Sequence, residues 1–150
     1  LGVTLQDWKA VGADYAQMMV KTSKALAQSL QNRGVNIYAA DKGFTMSHQF
    51  AILAAPYGGG QRAAKRMGDA GLLACGIGLP IAPVDGDLNG LRIGTPEIVR
   101  LGMKVKDMDQ LADFIARSLE TATDSKLLQS EITEWRTQFS GVHYTVDLPS

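Results

Sequence analysis

Arg92 stands between Leu91 and Ile93, just after a stretch dense in glycine, proline and aspartate and just before Thr95-Pro96. An arginine in a short apolar strand is costly unless its guanidinium meets an acceptor. The planar fork suits a carboxylate held through two parallel hydrogen bonds. Spacing alone leaves two readings open: a carboxylate ligand, or an internal pair with Asp85, Asp87 or Glu97. Gly58-Gly59-Gly60 invites a phosphate-loop reading, but Arg62 and Ala63 follow where that motif needs its Lys-Ser/Thr tail. A flexible strand-to-helix turn is the favoured reading there. His48, at a strand start, reads as a packing residue, and His143 has no partner in sequence. Cys75, with no base beside it, reads as a small buried apolar residue, and Met18, Met19, Met67 and Met108 read as core.

The chain has 150 residues, 45% of them apolar, which is one globular domain with enough length to bury a core. Fifteen basic and 15 acidic side chains cancel, which argues against broad electrostatic capture of nucleic acid or an anionic membrane. The small basic cluster Arg62, Lys65 and Arg66 reads as a solvated helix face. A single cysteine rules out an internal disulfide and favours a reducing compartment, the cytoplasm. One Cys and two His also leave a tetrahedral zinc site short of ligands, so no metal is expected. No apolar run is long enough to span a bilayer. Leu rather than Met in first position reads as a chain processed, truncated or cut out of something longer.

These residues must be positioned by a small set of elements. Thr4 with Asp7 reads as a capped start of one long helix, with Trp8, Val11, Tyr15, Met18, Met19, Thr22, Leu26 and Leu30 at helical spacing. Arg33-Gly34 is its stop. Strands are expected at 35–40, 47–54, 72–75 and 91–94, and a helix at 61–70. Gly76 to Gly90 reads as a long loop, of a length that is usually functional or mobile. Thr95-Pro96-Glu97 opens a short helix closed by Gly102. Asp107 caps the next, and Asp124 or Ser125 starts the last. The order predicts an α/β domain (an α+β sandwich): a small, mostly antiparallel sheet with helices packed on one face. The first helix, 1–34, reads as an inter-domain linker and 35–150 as the domain proper.

From Gly90-Leu91-Arg92-Ile93-Gly94-Thr95-Pro96 through Gly102-Met103, the sequence resembles the C-terminal small domain of serine hydroxymethyltransferases and related pyridoxal-phosphate enzymes of the aspartate-aminotransferase superfamily. The order of the other parts agrees. A helix with Lys24-Ala25-Leu26-Ala27 ends at Arg33-Gly34, and Thr45-Met46-Ser47-His48 stands where the family usually has Thr-Asp-Asn-His. The resemblance runs from about Tyr15 to about Leu119.

The resemblance implies the fold of a fold-type I pyridoxal-phosphate enzyme's small domain. It also implies that Arg92 binds the α-carboxylate of an amino-acid substrate. Thr95 and Pro96 would shape the turn behind it, and Ser47 and His48 would lie near the site without an assigned role. It places the Schiff-base lysine in a large domain upstream. Lys21, Lys24 and Lys42 do not sit in that context, so no catalytic residue is expected within this chain, and the chain alone is expected to be inactive. Ser47 replaces the Asn of folate users, and Leu73 to Pro80 replaces a second folate-associated segment, so the resemblance does not carry tetrahydrofolate binding to this chain. The implied parent reaction is an aldolase or transaldolase step at the Cα–Cβ bond of glycine-, serine- or threonine-type amino acids. It would transfer a one-carbon or aldehyde unit and run in a homodimeric enzyme. The alternatives are a folate-dependent serine hydroxymethyltransferase proper, and a noncatalytic assembly module with the same fold.

Overall fold

The computed structural model describes residues 2–146. Helix α1, Gly2–Asn32, is 31 residues long, or about 46 Å at 1.5 Å per residue. Of the expected stripe Tyr15, Met19, Thr22, Leu26 and Leu30 are buried and Val11 and Met18 partly so, but Trp8, in the helix's first turns, is half-exposed rather than inward. Thr4 is no cap, because the helix already runs at Gly2. Asp7, instead of reaching back, is buried and accepts a hydrogen bond from the Val146 amide. The stop is as read: Gly34 turns left-handed at φ 81° and the Val35 amide returns to the Leu30 carbonyl.

The sheet has three strands, β1 (Gln49–Leu53), β2 (Cys75–Ile77) and β3 (Gly90–Gly94), in the order β1-β3-β2 with both pairings antiparallel. The expected strand at 35–40 is reduced to one bridge between Ile37 and Ile52, because the backbone turns left-handed at Ala39 and enters a single 3-10 turn. The expected strand at 72–75 begins only at Cys75. It runs on through Gly76, a residue read as the start of the loop.

Phe50, Ile52, Leu91 and Ile93 face a core shared with Leu26 and Leu30 of α1, Met67 of α2 (Gly60–Asp69) and Met108, Leu111 and Ile115 of α4 (Met108–Leu119). Helix α3 (Pro96–Arg100) follows β3 directly. Helix α5 (Ser125–Arg136) packs Leu128 and Ile132 against Phe114 and is capped by Asp124, which accepts from the Lys126 and Leu127 amides. Asp107, by contrast, turns away from α4 and accepts from the Lys104 amide.

Gly58 makes the left-handed turn of the strand-to-helix connection at φ 78°, while Gly59 and Gly60 serve close packing. A Cβ on Gly60 would overlap the Gly90 carbonyl oxygen, and one on Gly59, at φ 121°, would overlap the Asp87 carboxylate. A Cβ on Gly76 would lie 3.0 Å from the Gln61 amide nitrogen. The start of α2 therefore rests directly on the sheet backbone. Asp87 satisfies that helix start, accepting from Gln61 N at 2.9 Å and Arg62 N at 3.1 Å. The rest of the 78–89 loop is wound around buried Asn89, whose side chain binds the amide of Leu79 and reaches the carbonyls of Leu79, Ile81 and Ala82.

Gly60→Ala should destabilise the chain by about 1–3 kcal/mol through overpacking against backbone, read from its denaturation midpoint. An unchanged midpoint would mean that α2 does not sit this close to β3. The backbone hydrogen bonds from Gln61, Leu88 and Arg62 hold the Asp87 carboxyl below its ordinary value. The stability it contributes is thus present above the ordinary carboxylate range and lost as pH falls through the lowered value. Asp87→Ala should lower the thermal midpoint at neutral pH, with the gap to the unaltered chain closing below pH of about 4. A pH-independent gap would contradict this.

Candidate functional site

The alternation of β3 decides where Arg92 goes. Leu91 and Ile93 are buried, so Arg92 points to the opposite face and is exposed. The buried-charge argument for a ligand therefore lapses, since this guanidinium keeps its water. The internal pair is not formed either. None of the four ion pairs among the described residues includes Arg92. Asp87, one of the three candidate partners, is committed to α2.

The register shows what surrounds it. Arg92 lies directly opposite Ala51 on β1 and Cys75 on β2, and two residues away on its own strand are Gly90 and Gly94. Successive residues alternate faces, so all four share Arg92's side of the sheet. The nearest strand neighbours of the long cation are therefore no larger than cysteine, while Gln49, Leu53 and Ile77, the diagonal neighbours opposite Gly94 and Gly90, share the same face. Cys75 is half-buried beside this arginine rather than in the core. That juxtaposition was not evident in the sequence, because it depends on where β2 begins. Leu79 lies against Gly90, where its side chain would meet a Cβ at 2.7 Å.

Ser47 and His48 precede β1, whose Gln49 pairs with Gly94, so they stand at the end of the sheet toward which β3 runs. His48 is exposed, and its Nδ1 lies 3.4 Å from the Ser47 hydroxyl. Its carbonyl accepts from the Thr95 amide at 3.0 Å. Thr95 is fully buried and does not cap α3. Its hydroxyl lies 2.8 Å from the Met19 carbonyl of α1 and 3.2 Å from the His48 carbonyl. Pro96 accepts at its carbonyl from the Tyr15 hydroxyl at 2.7 Å. Tyr15 is a participant that the sequence showed only as a core position.

His143 lies apart from this face, its ring against Gly102 and its amide bonded to the Arg100 carbonyl. Exposed Met46 and Leu73, each more than nine-tenths accessible, stand in the segments leading into β1 and β2. A cleft of 720 Å³ lined by Ile37, Leu53, Pro56 and Ile81 does not include Arg92.

Among the described residues no group of three or more His, Cys, Asp and Glu could hold a metal. A phosphate-bearing cofactor would need free amides, and the glycine-rich helix start that could offer them is filled by the Asp87 carboxylate. That helix start is therefore closed to a phosphate. No helix among the described residues is long and apolar enough to cross a membrane.

No protein-family model matches the chain. It is 56% identical over 142 residues to an alpha-methylserine aldolase of Variovorax paradoxus, a match covering 95% of this chain and 32% of that protein. It is 40% identical over 147 residues to a serine hydroxymethyltransferase of Methanobrevibacter smithii, covering 97% and 34%. Among solved structures, L-threonine transaldolase from Pseudomonas fluorescens superposes with a TM-score of 0.83 at 26% identity, over 95% of this chain and 32% of that one. The chain thus spans about one third of the length of the relatives it matches. By sequence and by fold, it is a homologue of one domain's worth of the alpha-methylserine aldolase and serine hydroxymethyltransferase chains.

Proposed function

We propose that this chain is the C-terminal domain of a larger pyridoxal-phosphate enzyme that breaks or forms the Cα–Cβ bond of β-hydroxy α-amino acids, with Arg92 as the grip on the substrate's α-carboxylate. The observation that carries the reading is the placement of Arg92: exposed on the face opposite the core, in none of the ion pairs among the described residues, with the small Ala51, Cys75, Gly90 and Gly94 as its nearest strand neighbours. Those small nearest neighbours leave the guanidinium accessible to a ligand carboxylate approaching in two parallel hydrogen bonds. Residues 1–34, with helix α1, serve as the linker from the remainder of the enzyme, and 35–150 forms the small domain.

In retro-aldol cleavage the β-hydroxyl gives up its proton, Cβ leaves as an aldehyde carbon, and the bonding pair stays on Cα. Pyridoxal phosphate, held by the part of the enzyme outside this chain, supplies the electron sink for that pair. The contribution of Arg92 is orientation. A bidentate clamp fixes rotation about the bond from Cα to nitrogen and so selects which bond stands ready to break. Ser47 and His48 border the same end of the sheet and would face the substrate's remaining groups. Thr95 and Pro96 hold the turn behind Arg92. The exposed Met46 and Leu73 would be covered by the remainder of the enzyme. We further infer a cytoplasmic homodimer, from the single free cysteine and from the family that the sequence resembles.

The aldolase reading is favoured over a folate-dependent hydroxymethyltransferase by the higher identity to the aldolase, 56% against 40%, and by Ser47 in place of the folate users' Asn. Turnover of α-methylserine without folate by the full-length parent would support the aldolase, and formaldehyde transfer to tetrahydrofolate would support the alternative. In either case Arg92→Lys in the parent should raise KM for the amino acid about tenfold or more, as expected for losing one of two charge-assisted bonds. The thermal midpoint should stay put, because the residue is exposed. A Lys variant with unaltered KM would remove the carboxylate role.

A further inference from the structure

The hydrogen bonds at residues 95 and 96 do something that apolar packing cannot. Hydrophobic contact between α1 and the sheet is non-directional and tolerates small slides of one against the other. Two side-chain hydrogen bonds at 2.8 and 2.7 Å, one helical turn apart on α1, do not. Thr95 reaches the Met19 carbonyl, and Tyr15 reaches from α1 to the Pro96 carbonyl, so the β3–α3 turn is pinned to α1 from both directions. Thr95 also pins the segment before β1 through the His48 carbonyl, which accepts from its amide. The pin is itself braced. The Tyr15 ring stacks on Tyr144 at 5.1 Å and lies under the Arg100 guanidinium, and Arg100 is 3.8 Å from Asp7, back on α1. Burial pushes the Tyr15 phenol up, the nearby Arg100 opposing, so the donor proton is in place at neutral pH.

Arg92 stands three residues before this pin on the same backbone. We propose that Thr95 and Tyr15 are positioning residues that set the reach of Arg92 relative to α1, and through α1 relative to the rest of the parent enzyme. The proposal rests on the reading of Arg92 as the carboxylate grip and of α1 as the linker helix. It adds that the aim of the grip is fixed by a hydroxyl pair on the opposite side of the sheet from the substrate.

The test uses the full-length parent, with dissociation constants for L-serine and for ethanolamine, its counterpart without the carboxylate, together with thermal midpoints. Thr95→Val and Tyr15→Phe should each weaken serine about fivefold, the effect of one lost hydrogen bond, and leave ethanolamine unchanged. Thr95→Ser, which keeps the hydroxyl, should restore serine binding. In the double variant Thr95→Val with Arg92→Lys, the further loss of serine affinity should be well under fivefold, because Thr95 acts through residue 92 and Lys keeps only one of the two bonds. Equal weakening of serine and ethanolamine, or full additivity with Arg92→Lys, would overturn the positioning role and leave the grip intact. If Arg92→Lys itself fails to distinguish serine from ethanolamine, the carboxylate reading falls, and the positioning role with it. Should Thr95→Val not fold, Tyr15→Phe decides alone, since it keeps the ring stacked on Tyr144 and removes only the bond to Pro96.

Discussion

An unpaired guanidinium does not enter an apolar core, and the pleat of a strand sends alternate side chains to opposite faces. In β3 those two facts act together. Leu91 and Ile93 fill the core beside Ile52, Leu26 and Met67, so Arg92 must emerge on the other side of the sheet. The helices α1, α2 and α4 gather where the leucines and isoleucines are, and the arginine is exposed on the opposite face. The hydrophobic demand of one short strand thereby decides both where the core lies and where a cation is presented.

Holding that presentation steady falls to polar groups. Thr95, buried completely, and Tyr15 link the end of β3 to α1, while the segment carrying Tyr144 and Val146 comes back to brace Tyr15 and Asp7. At the other end Asn89 and Asp87 organise the approach to β3, one folding the 78–89 loop and the other closing the start of α2. Arg92 is therefore bracketed on its own chain by two hydrogen-bonded anchors, Asn89 three residues before and Thr95 three residues after.

Much of this was legible from residue types. Helical spacing marked α1, α4 and α5, the Arg33-Gly34 stop marked an end, and Asp124 marked a start, because each of these signals acts within a few residues. Arg92 stood out for the same reason, although the argument that first drew attention to it, the cost of burying it, does not apply to an exposed side chain. What escaped the sequence was set by distant partners. Ile37 makes a single bridge because Ala39 turns the chain, which no local pattern announced. Gly76 looked like loop and is strand, its lack of a side chain required by the passing start of α2. Gly58 makes the turn that was expected, but Gly59 and Gly60 are there for close packing against Asp87 and the Gly90 carbonyl. Thr95 and Asp107 looked like helix caps and spend their side chains elsewhere, Thr95 on α1 and Asp107 on the Lys104 amide. Cys75 looked like core and flanks Arg92, a fact of register alone.

The claim on which the account turns is a contact between one side chain and one end of a small molecule. It is measured most directly by a crystal structure of the full-length parent with an amino-acid substrate or product bound. The account expects both carboxylate oxygens within about 2.7–2.9 Å of two Arg92 guanidinium nitrogens, the distance of charge-assisted bonds. A substrate whose carboxylate is held by other residues, with Arg92 still in solvent, would contradict it.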